Sequence, residues 1–203
     1  LSGQDVLALM PTGGGKSLCY QVPGLVKDGV CLVVSPLIAL MKDQVDQLKR
    51  RGVLAAAIFS GMSYREIDRT LDNCIHGNYK FLFVSPERLK SELFIERFRQ
   101  MNINLVAVDE AHCISQWGYD FRPPYLEIAE IRKYHPSISV LALTASATPQ
   151  VEADILEKLE MKNPEIFRQS FARENLSYSV RLVENKLEKG CEILNRVSGS
   201  AIW

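Results

Sequence analysis

Met10-Pro-Thr-Gly-Gly-Gly-Lys-Ser17 decides the reading of this chain. It follows the apolar run Val6–Leu9 and opens a helical stretch, the strand-loop-helix context that a phosphate-binding loop requires. Gly13, Gly14 and Gly15 let the backbone turn its N–H groups inward around phosphate oxygens. Lys16 brings a point charge to the β and γ phosphates, and Ser17 a hydroxyl to a magnesium ion. The partial positive charge of the helix start adds to both, with Thr12 completing the loop. The strict pattern wants Gly where this chain has Met10. A flexible glycine-rich turn leading into a helix is the plainer alternative.

Outward from that loop, short apolar runs alternate with amphipathic stretches. Strands are predicted over Val6–Leu9, Cys31–Ser35, Ala55–Phe59, Phe81–Ser85, Leu105–Asp109 and Val140–Thr144. Several are apolar almost throughout, which suits strands buried on both faces. Helices are predicted over Leu37–Arg51, Tyr64–Ile75, Glu92–Gln100, Tyr125–Tyr134 and Gln150–Leu159. The alternation predicts an α/β fold with a parallel sheet wrapped by helices. Asn163-Pro164 marks a break. Beyond it, Phe171–Val180 reads as a linker and short strand, Asn185–Val197 as a helix, and Gly199–Trp203 as the opening of another strand. The expected division is therefore 1–163 and 164–203, the second part a truncated domain.

The chain has 203 residues, 47% hydrophobic and 24% charged, which excludes a disordered, collagen-like or disulfide-miniprotein class. Its 24 basic and 24 acidic side chains cancel, so charge alone does not advertise a nucleic-acid partner. A local basic groove remains compatible with that balance. The apolar stretch Val30–Met41 is broken by Ser35 and Pro36 and is shorter than the ~20 residues of a membrane span. No basic start followed by an apolar run reads as a signal peptide. The absence of an initial Met suggests a fragment or processed product. Five cysteines without a Cys-x-x-Cys pair argue for free thiols and against a zinc site. No membrane contact is expected, and the location expected is cytoplasmic, with the nucleoid if the source is bacterial and in the nucleus if it is eukaryotic.

Asp109-Glu-Ala-His112 follows the apolar strand, where ligands bind in open α/β sheets. Asp109 can hold magnesium through a water, and Glu110 can accept a proton from the attacking water. The same tetrapeptide also suits the first turn of a helix. Leu143-Thr-Ala-Ser-Ala-Thr-Pro149 puts small hydroxyls at another strand end, either partners for the carboxylates or an ordinary helix cap by Thr148. The run from Cys113 to Tyr125 carries Trp117, Phe121 and Arg122 on a loop directly after the carboxylates. Aromatic faces stack on bases and Arg pairs with phosphates, although aromatic core packing explains the same residues. Ser35-Pro36 and Ser85-Pro86-Glu-Arg88 stand at two further strand ends, as backbone-gripping helix starts or plain Pro-initiated helices.

Together, MPTGGGKSLCYQ, SPLIALMKDQV, VSPERL, DEAHCISQWGYDFRPPY and LTASATP resemble a RecQ-type DNA helicase of superfamily two, over essentially all of residues 1–203. The resemblance implies a first RecA-like P-loop lobe and the start of a second, with ATP and Mg²⁺ held in the cleft between them. It implies 3′ to 5′ translocation on single-stranded DNA, action on partly duplex DNA, and a repair or recombination role. It implies that Lys16 and Ser17 bind phosphate and magnesium, that Asp109 binds magnesium, and that Glu110 is the catalytic base. His112 and Gln116 would link nucleotide to the DNA loop of Trp117, Phe121 and Arg122. Thr144, Ser146 and Thr148 would couple hydrolysis to lobe movement. The family's phosphate loop does not keep the first glycine, so Met10 fits. The family often has His where this chain has Tyr119. Its adenine-recognising segment would precede Leu1, while the arginine finger, zinc and winged-helix modules would follow Trp203. The fragment is expected to hydrolyse ATP weakly or not at all. A DEAH-type RNA helicase, a nucleotide-gated nucleic-acid clamp and a small-molecule P-loop kinase are the rivals. The kinase leaves the aromatic loop unexplained, and a clamp has no need of Glu110.

Overall fold

The structure is a computed structural model that describes residues 3–118, 120–170, 175–177, 179–180 and 182–197. Seven strands form one sheet: β1 (Val6–Leu9), β2 (Val30–Val34), β3 (Ala55–Ile58), β4 (Phe81–Val84), β5 (Ile103–Val108), β6 (Val140–Thr144) and β7 (Glu165–Arg168). Their order is β3-β4-β2-β5-β6-β1-β7, and every pairing is parallel. The apolar runs follow from that topology, because every residue of β2, β4, β5 and β6 is buried. Alternation along β2 sends Cys31 and Val33 to one face and Leu32 and Val34 to the other.

The first face packs on α1 (Lys16–Val26) and α2 (Ile38–Arg50), where Met41, Val45 and Leu48 recur at helical spacing. The second packs on α3 (Tyr64–His76), α4 (Glu92–Phe98), α5 (Glu127–Arg132) and α6 (Pro149–Lys158). Ser63 and Glu66 close a capping box at the start of α3, and Thr148 caps α6 with its hydroxyl. No described helix is long and apolar enough to cross a membrane. All five cysteines are free.

The fold is α/β with a parallel sheet between helices, as the alternation predicts, and it fits the RecA-like lobe that the resemblance implies, with three local differences. Tyr125–Tyr134 is not one helix. Pro123-Pro124 starts a 3₁₀ turn over Pro123–Leu126, and α5 begins only at Glu127. Strand β7 has no counterpart among the predicted strands. Its exposed Glu165, Phe167 and Arg168 give an edge strand little of the apolar signal that marks β2 or β5. Because β7 pairs with β1, the first compact unit runs past 163 to Phe171, and a second unit spans Ala172–Trp203. In that second unit α7 (Lys186–Arg196) is capped by Asn185, close to the predicted Asn185–Val197. The described residues between 175 and 180 form no strand. Gly199–Trp203 lies outside the described residues, as do Phe171–Glu174 and Tyr119.

Candidate active site

The carboxyl ends of β1, β2, β5 and β6 meet in one corner. Gly13 and Gly15 hold φ 81° and 83°, left-handed values that favour glycine, and nothing lies within 4 Å of where a Gly13 side chain would begin. Gly14 N–H donates to Pro11 O at 2.9 Å, closing the turn before α1. Leu18 N–H donates to Gly15 O at 2.9 Å across the first turn of α1. Met10 N–H donates to Thr144 O at 3.0 Å, and the Met10 sulfur accepts from the Cys19 thiol at 3.5 Å. Its side chain thus packs beside α1 rather than in the site, which is why a non-glycine is accommodated there.

A cavity of about 430 Å³ opens over this loop. Thr12, Gly13, Gly15, Lys16, Ser17, Ser35, Asp109 and Glu110 all line it. Backbone ladders place the far wall: Asp109 N–H donates to Val34 O at 2.9 Å and Ser35 N–H to Val84 O at 3.1 Å. Ser35 Oγ donates to Asp109 Oδ2 at 3.5 Å, Glu110 N–H to Asp109 Oδ1 at 3.0 Å, and Tyr125 OH to Asp109 O at 2.9 Å. Burial raises the Asp109 pKa, the adjacent Glu110 carboxylate raises it further, and Lys16 and Ser35 only partly offset this. Glu110 sits at φ 48°, a left-handed conformation that is costly for a residue with a side chain. That twist turns its carboxylate toward the cavity and ends β5 with a 3₁₀ turn rather than a long helix.

His112 Nδ1 lies 2.9 Å from Thr144 Oγ1 and 3.4 Å from Glu110 Oε2. Thr144 Oγ1 also donates to Ser146 O at 3.1 Å. The carboxylate turn and the LTASAT segment are therefore one hydrogen-bonded unit. Ser146 and Thr148 themselves are exposed, and they share with His112 and Trp117 a shallow groove of about 510 Å³. Gln116 is exposed and makes no side-chain hydrogen bond among the described residues, whereas His112 is tied to Thr144.

Trp117 is 69% exposed and so does not pack in the core. Phe121 is half-buried. Arg122 donates to Pro36 O at 3.3 Å, joining the loop to the end of β2, and forms a pair with Asp120 at 2.8 Å. A phosphate reaching Arg122 therefore competes with a carboxylate already in place. Ser35 and Ser85 are buried at 3% and 2% exposure, and Ser35 lines the cavity. Arg88 donates to Phe59 O at 3.3 Å, and Pro86–Arg88 is one 3₁₀ turn with little helix start to offer.

Two lining residues escape a motif reading. Gln44 Oε1 accepts from Gln21 Nε2 at 2.9 Å and from Tyr20 OH at 3.4 Å, and both Gln44 and Tyr20 line the cavity. Their signal is a polar group set among the buried stripe Met41, Val45 and Leu48. Among the described residues no group of three or more His, Cys, Asp or Glu could hold a metal unaided.

The profile of the DEAD/DEAH box helicase family matches residues 1–155. The chain is 48% identical over 184 residues to the ATP-dependent DNA helicase RecQ of Bacillus subtilis, covering 90% of this chain and 31% of that protein. It is 40% identical to the ATP-dependent helicase SGS1 of Saccharomyces cerevisiae, covering 95% of this chain and 14% of that one. The chain spans about a third of the length of the bacterial relatives it matches. The helicase domain of Pyrococcus furiosus Hef superposes with a TM-score of 0.63 at 22% identity, over 82% of this chain and 36% of that chain. That likeness bears on the fold alone. The RecQ-type resemblance drawn from the motifs is borne out by these relatives. A profile match over three-quarters of the sequence, on the same loop and carboxylates that share the cavity, places this chain in the DEAD/DEAH box helicase family.

Proposed function

We propose that this chain is the first RecA-like lobe of an ATP-dependent DNA helicase of RecQ type. The observation that carries the reading is the shared cavity: the Thr12–Ser17 loop, Asp109 and Glu110 face one another across it. The residues fit a magnesium-nucleotide. The loop offers open space and left-handed glycines, Lys16 answers phosphate charge, and Asp109 is a carboxylate whose burial the chain compensates only in part. Thr12, Gly13, Gly14, Gly15 and Lys16 would hold the phosphates, and Ser17 and Asp109 the Mg²⁺. When bound, Mg²⁺–ATP supplies the phosphoanhydride bond whose hydrolysis drives the cycle.

Glu110 accepts a proton from the attacking water at its carboxylate, and His112 Nδ1, 3.4 Å away, orients it. Thr144 fixes His112, so the state of the carboxylate turn is felt by Ser146 and Thr148. Trp117, Phe121 and Arg122 form the face for single-stranded and partly duplex DNA. Translocation runs 3′ to 5′, and the setting is repair or recombination in the cytoplasm or the nucleus of its host. Residues 164–203 include the entry to a second helicase lobe, which brings the arginine finger. Without that trans charge, worth ~10³–10⁵ in rate, the 203-residue chain turns ATP over slowly or not at all.

ATP turnover by a protein carrying this chain with both lobes tests the reading, in the presence of no polynucleotide, single-stranded DNA or single-stranded RNA. Strong stimulation by DNA alone supports it. Stimulation by RNA as great or greater moves the assignment to an RNA helicase, and no turnover moves it to a clamp.

A further inference from the structure

His112–Thr144 is one of two links between the aromatic loop and the LTASAT segment. The other lies on the far side of the loop root. Ser115 is fully buried, and its Oγ donates to Asp154 Oδ2 at 2.6 Å while accepting from Trp117 N–H at 3.1 Å. Asp154 stands on α6, the helix that Thr148 caps. Lys158, one turn on, donates to the same Asp154 oxygen at 3.1 Å and to Ile114 O at 3.4 Å. One continuous chain of donors and acceptors thus runs from the Trp117 amide to α6. Such chains polarise and strengthen their members.

The two ends of the loop are held differently. Its exit is tied by Arg122 N–H to Cys113 O at 2.8 Å and by Arg122 to Pro36 O. Between entry and exit, Gln116 and Trp117 stand exposed. α6 is ten residues long, about 15 Å. Its start carries the exposed Thr148, and its body carries the anchor for Trp117. Just before that start, Ser146 O accepts from Thr144 Oγ1, the partner of His112, so α6 lies between the Trp117 anchor and the carboxylate turn. Consistent with a settled ionic contact, the Ser115 hydroxyl first and Lys158 second hold the Asp154 carboxyl below its ordinary range.

We infer that Asp154 is a positioning residue that, through Ser115, fixes the Trp117 loop to α6 and so couples nucleic-acid contact at Trp117 to the nucleotide site. The coupling half of this inference rests on the function proposed above, and the positioning half does not.

The test uses the 203-residue chain with Trp203→Phe, so that Trp117 is the sole indole. Four variants are compared with it: Asp154→Ala, Asp154→Asn, Ser115→Ala and the double variant Ser115→Ala/Asp154→Ala. Circular dichroism first confirms folding, and Asp154→Asn keeps the shape should the alanine variant melt. Acrylamide quenching of Trp117 emission is then measured without ligand. The expected result is a quenching constant raised about twofold in Asp154→Ala and in Ser115→Ala, with no further rise in the double variant, as shared partners require. Affinity for a fluorescent ATP analogue with Mg²⁺ is next measured with and without a saturating oligodeoxythymidine. In the parent the oligonucleotide changes that affinity by about fivefold or more. In Asp154→Ala the change falls to less than about twofold, while affinity without oligonucleotide stays the same. An unchanged Trp117 environment in both alanine variants overturns the positioning role, whatever the chain binds. A changed Trp117 environment with an intact oligonucleotide effect overturns the coupling. A parent chain that binds no nucleotide overturns the proposed function and the coupling with it, leaving the quenching result to decide the positioning alone.

Discussion

The two ends of the sheet handle buried charge in opposite ways. At the amino end, Asp5 and Arg132 are 2% and 8% exposed and form a pair at 2.8 Å. Asp5 also accepts from Val140 N–H at 2.9 Å and Lys162 N–H at 2.6 Å, and Arg132 donates to Glu160 O at 2.9 Å. That cluster ties β6, α5 and the approach to β7 together, and both carboxylate oxygens are satisfied. At the carboxyl end, Asp109 is half-buried beside a second carboxylate and is compensated only in part. Glu110 is held in a left-handed conformation. A compensated charge fastens the fold, whereas an under-compensated one marks a candidate functional site, which the proposed function assigns to a cation.

Breaking the amino end has the largest expected effect. Asp5→Ala leaves Arg132 buried without its partner and costs ~3–5 kcal/mol. Thermal unfolding falls by roughly 6–20 °C at ~2–4 °C per kcal/mol for a chain of this size. Nucleotide affinity of the remaining folded protein stays at the parent value, since the pair lies at the other end of the strands. A loss of affinity without a loss of stability would merge the two ends into one system.

Relieving the carboxyl end acts in the reverse direction. Asp109→Asn removes a charge that the fold disfavours, and thermal unfolding rises by about 2–4 °C, near 1 kcal/mol. Mg²⁺-dependent nucleotide binding is lost in the same variant. The pH dependence has a definite sign. With its folded pKa raised, Asp109 takes up a proton in the native state before it does so in the unfolded chain. Its own contribution to stability therefore increases as pH falls from the raised value toward the ordinary carboxylate value near 4, and levels off below. Subtracting the Asp109→Asn stability profile from that of the parent exposes this slope, and a difference of opposite sign would refute the assignment.

The smallest effect on stability is expected at Glu110. Glu110→Gly relieves left-handed strain but adds freedom to the unfolded chain, so stability changes by only a few tenths of a kcal/mol. DNA-stimulated turnover in a two-lobe protein is abolished by it. Calorimetry and turnover on the same preparation separate the two outcomes.

The carboxyl end was readable in the sequence to a degree that the amino end was not. Glycines, Lys16 and the paired carboxylates follow from local rules, because phosphate loops and strand-end acids are contiguous in the chain. The six apolar strands were readable for the same reason, each being a run buried on both faces. Strand β7 was not, since an exposed edge lacks that signature. Asp5 and Arg132 are far apart in sequence, and nothing local to either announces the other. Asp154 and Gln44 fall between: each sits on a helix whose pattern is plain, but its partner, Ser115 or Tyr20, lies on another element. Pairings made by tertiary packing leave no spacing to read.

The central claim is that the Thr12–Ser17 loop and Asp109 form one magnesium-nucleotide site. Titration of the 203-residue chain with a fluorescent ATP analogue, with and without Mg²⁺, tests it directly beside Lys16→Ala. The account predicts saturable Mg²⁺-dependent binding by the parent and about 100-fold weaker binding by Lys16→Ala at unchanged thermal stability, the loss expected for a charge-assisted contact to phosphate. Equal binding by the two proteins, or none by a folded parent, would contradict it.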